Sequence, residues 1–167
     1  MQSNLNLSVR PATPDDALSI KRIHTNAYKH SYRGFLPDEY LDSLEITDEK
    51  VEKTRQYLTE AECSIALYAD TPAGFAYVSE YQDCFEINAL YIDPEYQKHG
   101  LGSLLINTLC QEKQKMGFSK CIVWTMKFGP SLGFYKKNGF TLTAEEKIWK
   151  FDIPIIKLEK ELSKERP

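Results

Sequence analysis

Residues 86–103 read Glu86-Ile87-Asn88-Ala89-Leu90-Tyr91-Ile92-Asp93-Pro94-Glu95-Tyr96-Gln97-Lys98-His99-Gly100-Leu101-Gly102-Ser103, and the rest of the chain is understood from them. The apolar run Phe85 to Ile92 predicts a strand. Asp93-Pro94 ends it, because proline has no N–H for a ladder and biases the residue before it away from helix. A short loop follows, and a helix pattern begins at once. Successive loop amides, together with the free N–H groups of a new helix, make a cradle for an anion. Gly100 and Gly102 would let a phosphate approach the backbone without interference from a Cβ. On glycine spacing alone, a plain strand-to-helix loop explains the stretch as well. The string G-x-x-x-x-G-K-[ST] is absent, and so is G-x-G-x-x-G. Nucleotide hydrolysis and dinucleotide redox therefore lose their main sequence support.

Outward from this stretch the chain reads as alternating short elements. Downstream, Gly102 to Met116 is helical in pattern, with Leu101, Leu105 and Leu109 on one stripe. Lys120 to Thr125 predicts a strand, Pro130 to Asn138 a helix stopped by Gly139, and Phe140–Thr143 with Trp149–Leu158 a closing pair of strands. Upstream, Leu5 to Arg10 predicts a strand. Thr13-Pro14-Asp15-Asp16 carries the start signal of a helix running to about Lys29. Ser31 to Leu44 is an irregular or short-helical connection, and Asp48 to Thr59 a polar helix. Ser64–Tyr68 and Gly74–Tyr81 flank Asp70-Thr71-Pro72-Ala73 as a hairpin. The order β-α-α-β-β-β-α-β-α-β-β predicts a mixed α/β chain, with helices around one largely antiparallel sheet and a parallel element where a helix crosses over.

Composition narrows the function classes. The chain has 167 residues, 42% hydrophobic, with 21 Lys+Arg against 24 Asp+Glu and a formal net charge of −3. A near-neutral chain has no electrostatic case for nucleic acid. Its apolar runs are far shorter than the roughly 18 residues of a membrane span. Met1-Gln2-Ser3-Asn4 lacks the layout of a secretory leader, so a cytoplasmic location and one domain over residues 1–167 are expected. Cys63, Cys84, Cys110 and Cys121 show no C-x-x-C spacing, and His24, His30 and His99 no ligand pattern, so no metal is expected.

Gln97-x-x-Gly100-x-Gly102 resembles the Q/R-x-x-G-x-G/A signature of the GNAT acyltransferase superfamily, at the expected strand–loop–helix junction. Phe134-Tyr135-Lys136-Lys137-Asn138-Gly139-Phe140 resembles that family's F-Y-E-K-x-G-F box. The resemblance implies a twisted, mostly antiparallel sheet of about seven strands, flanked by helices and splayed between the fourth and fifth strands. It also implies acetyl transfer from acetyl-CoA to a primary amine, on a small molecule or a protein. The backbone amides around Gln97, Lys98, His99, Gly100, Leu101, Gly102 and Ser103 would hold the CoA diphosphate. Leu90, Tyr91 and Ile92 would pair with the pantetheine arm as an added strand does. Phe128 and Ser131 depart from the pattern, standing where many members carry Asn and Ala.

Attack of an amine on a thioester needs a base, a donor for the oxyanion and an acid for the leaving thiolate. Tyr135 matches the family's acid position, and a phenol is protonated at neutral pH. Glu86 resembles the strand glutamate that serves as base in the histone-modifying branch; a water is the alternative. A backbone N–H near Leu90 or Tyr91 is the expected oxyanion donor. Tyr28, Tyr32, Phe35 and Trp149 are candidate walls of the acceptor cleft and equally candidate core aromatics. Two other readings stay open: an acyl-CoA-binding regulatory module without catalysis, and a nucleotide-binding interaction domain. Nothing in the sequence names the acceptor, and a homodimer is left open as the assembly.

Overall fold

Arg10 and Asp16 set the first turn of the computed structural model, which describes residues 6–162. The Arg10 guanidinium donates to both carboxylate oxygens of Asp16 at 2.8 and 2.9 Å, and the Thr13 amide donates to the same carboxylate at 2.8 Å. This ties strand β1 (Leu7–Pro11) through a short 3-10 turn to helix α1 (Ala17–Ser31). The expected start at Leu5 lies outside the described residues. The connection after α1 contains a five-residue helix α2 (Asp38–Asp42). Helix α3 (Asp48–Tyr57) is capped by Thr47, whose hydroxyl oxygen accepts from the Lys50 amide at 3.2 Å. Strands β2 (Glu62–Tyr68), β3 (Thr71–Glu80) and β4 (Cys84–Ile92) follow, then α4 (Leu101–Lys115), β5 (Lys120–Met126), α5 (Pro130–Lys137), β6 (Thr141–Ile148) and β7 (Pro154–Glu161).

The seven strands take the order β1-β2-β3-β4-β5-β7-β6. β4 and β5 run parallel, as expected where a helix crosses over, and the other described registers are antiparallel. The β4–β5 register runs only from Cys84↔Lys120 to Ile87↔Val123, so this ladder does not take the edge of β4 beyond Ile87. The splayed, mixed α/β sheet expected from the sequence is thus the observed fold. The closing pair differs in detail. β6 extends to Ile148, and Trp149 begins a turn in which Phe151 and Asp152 have φ of 53° and 59°. β7 therefore starts at Pro154 rather than at Trp149. The alternating apolar pattern around Trp149 did not reveal this reversal.

By contacts the chain forms two units, residues 6–77 with 89–105 and residues 78–88 with 106–162; β3, β4 and α4 each contribute to both. In the first unit α1 buries Ala17, Ile20 and Ile23 against Val51, Leu58, Ile65 and Phe75. Each large aliphatic side chain there contributes about 1.5–3 kcal/mol by leaving water. In the second unit Phe85, Leu109, Val123 and Leu158 are fully buried. The α4 stripe Leu101, Leu105 and Leu109 is buried as its spacing predicts.

Candidate functional site

The β3–β4 hairpin carries an irregularity that no sequence pattern announced. The Tyr81 amide donates to the Cys84 carbonyl at 2.8 Å, and the Asp93 amide to the Ala73 carbonyl at 2.8 Å. Between these bonds the stretch Cys84 to Asp93 is one residue longer than the stretch Ala73 to Tyr81. Antiparallel pairing conserves register, so β4 contains one extra residue, a bulge that turns backbone groups away from the regular ladder. Gly74 permits the close approach at the far end. A Cβ there would lie 2.4 Å from Ile92 Cδ1 and 3.0 Å from the Tyr91 carbonyl oxygen.

After Ile92 the chain is pinned twice. Asp93 caps the 3-10 turn Pro94–Tyr96 by accepting from the Glu95 amide at 3.0 Å, and Gln97 Nε2 donates to the Ile92 carbonyl at 3.4 Å. Gln97 thereby holds the loop to its own strand. Lys98 and Gly100 have φ of 68° and 85°. A Cβ on Gly100 would meet nothing within 4 Å, so glycine there serves the left-handed backbone and an open approach, not internal packing. The Leu104 amide donates to the Gly100 carbonyl at 3.0 Å, which makes Gly100 the cap of α4. The amides of Leu101, Gly102 and Ser103 consequently have no carbonyl within the helix to bond. They lie at the positive end of a 15-residue helix.

His99 is exposed, yet its ring lies 5.0 Å from that of Tyr68. Tyr68 also meets Tyr96, at 5.3 Å. One aromatic at the end of β2 thus supports both sides of the loop. Sequence reasoning missed Tyr68, because only the sheet brings it to residues nearly thirty positions away. Tyr91 sends its side chain into an aromatic cluster with His24 (5.1 Å between centroids) and Phe75 (5.8 Å), and its phenol lies 3.5 Å from that of Tyr32. Of the expected cleft walls, Tyr28 is buried in this same cluster and Phe35 is exposed. Trp149 stands at the turn before β7.

Two further candidates lie in the second unit. Glu86 is half-buried on β4 and accepts from Asn88 Nδ2, whose Oδ1 in turn accepts from the Ser79 hydroxyl at 2.8 Å. This chain of hydrogen bonds orients the carboxylate. Tyr135 is buried on α5, its ring 5.2 Å from Phe134 and 5.5 Å from Phe140. The Tyr135 carbonyl accepts from the amides of Asn138 and Phe140, and Gly139 turns the chain with φ of 90°. The box residues therefore form the helix end itself. Phe128 is exposed in the loop before α5.

Comparison with known proteins agrees with this geometry. An uncharacterized N-acetyltransferase of Bacillus subtilis, YuaI, is 25% identical over 158 residues, covering 92% of this chain and 89% of that protein. A spermidine N(1)-acetyltransferase of Thermoplasma acidophilum is 22% identical over 143 residues, covering 81% of this chain and 89% of that protein. The crystal structure of the PaiA N-acetyltransferase of the same organism, in complex with coenzyme A, superposes with a TM-score of 0.75 at 21% identity, covering 94% of this chain and 99% of that one. Residues 25–140 match the Acetyltransferase (GNAT) family, a span that takes in both the loop after β4 and the α5 box. The chain belongs to the GNAT acetyltransferase family.

Proposed function

We propose that the chain is an N-acetyltransferase that moves the acetyl group of acetyl-CoA directly to an amine within a ternary complex. The observation that carries this reading is the junction of β4 with α4. There a left-handed glycine, open space at its Cβ position and three helix-start amides without a carbonyl partner inside the helix occur together. These features fit a diphosphate. Gln97 through Ser103 would hold it, and the backbone edge at Leu90, Tyr91 and Ile92 would pair with the pantetheine amides. The thioester supplies an acyl carbon open to nucleophilic attack.

In this reading Glu86 takes the proton from the incoming ammonium, directly or through a water, with Asn88 positioning its carboxylate. A backbone N–H near Leu90 or Tyr91 donates to the oxygen that gains charge. Tyr135 gives its phenolic proton to sulfur as the C–S bond breaks and the C–N bond forms. The ammonium gives up two protons, one to Glu86 before attack and one from the nitrogen of the tetrahedral adduct as it collapses. The second replaces the proton that Tyr135 gives to sulfur, so the one net proton released is the one on Glu86. Cys63 is no acyl carrier in this direct transfer: burial pushes its thiol up to about 12, far from a thiolate nucleophile. The spermidine acetyltransferase relative makes polyamines one acceptor class to try.

Thermal unfolding with acetyl-CoA, CoA and ATP, followed by thiol release on an amine panel, tests the assignment. Stabilisation by both CoA species with thiol release on some amine is expected. Stabilisation by ATP alone would overturn the reading, and CoA binding without turnover on any amine would instead indicate an acyl-CoA-binding module.

A further inference from the structure

A cavity of about 380 Å³ opens within the first unit, among α1, α3 and the face of β3 and β4. That volume suits a small molecule and is too small for a folded partner. Its floor includes Phe75, Tyr77 and Ala89. Its walls carry three ammonium groups, Lys21 from α1 with Lys50 and Lys53 from α3, and no carboxylate lines it. The charge does not follow from composition, since the chain as a whole is acidic.

Lysines on helix faces are usually solvated and paired, and Lys53 conforms, lying 3.2 Å from Glu49. Lys21 and Lys50 do not. Among the described residues neither has a carboxylate within 4.0 Å; Lys50 Nζ donates to the Glu45 carbonyl at 2.9 Å, and Lys21 Nζ reaches His24 Nδ1 at 3.5 Å. Two like charges facing one cavity from different helices repel each other. Burial first, and then the charge of Lys50, lowers the Lys21 ammonium below its ordinary pKa. An anion placed between them would relieve both effects.

We propose that this cavity is the acceptor pocket and selects a small amine bearing a carboxylate or phosphate, its anion against Lys21 and Lys50 and its amine toward Ala89. The inference rests on the acetyl-transfer reading, since Ala89 directly precedes the strand edge that reading assigns to pantetheine. It separates this chain from its spermidine-acetylating relative, because a polycation would add charge to a wall that already carries uncompensated ammonium groups.

The test compares glutamate and O-phosphoethanolamine with ethanolamine and spermidine. Acetylation rates and, independently, calorimetric binding are measured for wild type, Lys21→Gln, Lys50→Gln and Lys50→Arg. Lys50→Gln is expected to raise KM for the anionic amines about tenfold or more, the scale of one charged hydrogen bond. Turnover number and CoA affinity should stay the same, and Lys50→Arg should restore most of the loss. Glutamate against O-phosphoethanolamine tells which anion is preferred. Spermidine turned over best, with no response to either lysine change, would overturn the pocket while leaving acetyl transfer intact. Anionic amines that bind, and are lost in Lys50→Gln, without transfer to any amine would keep the anion pocket and overturn the transfer reading.

Discussion

At the scale of single residues, Gly100 shows why a loop of ordinary composition can be specific. Its φ of 85° disfavours any side chain, and the space beside it is empty of protein. Gly100→Val is expected to cost about 1–2 kcal/mol in stability through the left-handed backbone. Titration calorimetry should show CoA affinity falling more than tenfold, because the side chain fills phosphate space. Tyr135→Phe separates a chemical role from packing. The ring contacts with Phe134 and Phe140 survive, so CoA affinity should hold while steady-state turnover drops by about tenfold or more, the scale of lost general-acid catalysis. Asp16 carries the clearest pH dependence. The Arg10 guanidinium holds its carboxyl below the usual carboxylate range, against the opposing effect of burial. A folded-state pKa below the unfolded one stabilises above the unfolded value, near 4, and the benefit is lost as pH falls through the lower folded value. Asp16→Asn should therefore cost about 2 kcal/mol at pH 7, the scale of charged hydrogen bonds, and much less at pH 3, as urea denaturation at the two pH values would show.

At the scale of elements, β3 and α4 are joined in the second unit by Lys113 and Glu80, whose side-chain exposures of 2% and 40% are very unequal. The Lys113 ammonium donates to Glu80 Oε1 at 2.5 Å and sits 5.8 Å from the Phe118 ring centroid. Removing the carboxylate takes an ion-pair partner from a buried cation, whereas removing the cation leaves a carboxylate that water can reach. Glu80→Ala is expected to destabilise by about 3 kcal/mol and Lys113→Met by less than about 1 kcal/mol, measured by chemical denaturation. The element order was readable because its signals are local: a proline after β4, a glycine after α5, a three-leucine stripe on α4. The bulge in β4 was not, since the strand shows no glycine or proline to mark the extra residue. Nor was the turn at Phe151 and Asp152, where positive φ falls on an aromatic residue that seldom adopts it as well as on an aspartate.

At the scale of the whole molecule, ligand binding and folding are coupled by mass action. CoA at about a hundred times its Kd should add roughly 2.7 kcal/mol, which for a chain of this size raises Tm by about 5–10 °C in a calorimetric scan. The Gly100→Val protein, itself less stable, should lose most of that increment. The sequence by itself determined the α/β order, the expectation of a parallel element where a helix crosses over, the loop from Gln97 to Ser103 and the box around Tyr135. Each of these is written in residues adjacent along the chain, where backbone preference acts directly. Only the tertiary structure decided that β7 lies between β5 and β6, that Tyr68 supports the loop, and that Lys21 and Lys50 face one cavity. Those arrangements depend on side chains distant in sequence meeting when apolar faces pack, and no local pattern encodes such a meeting.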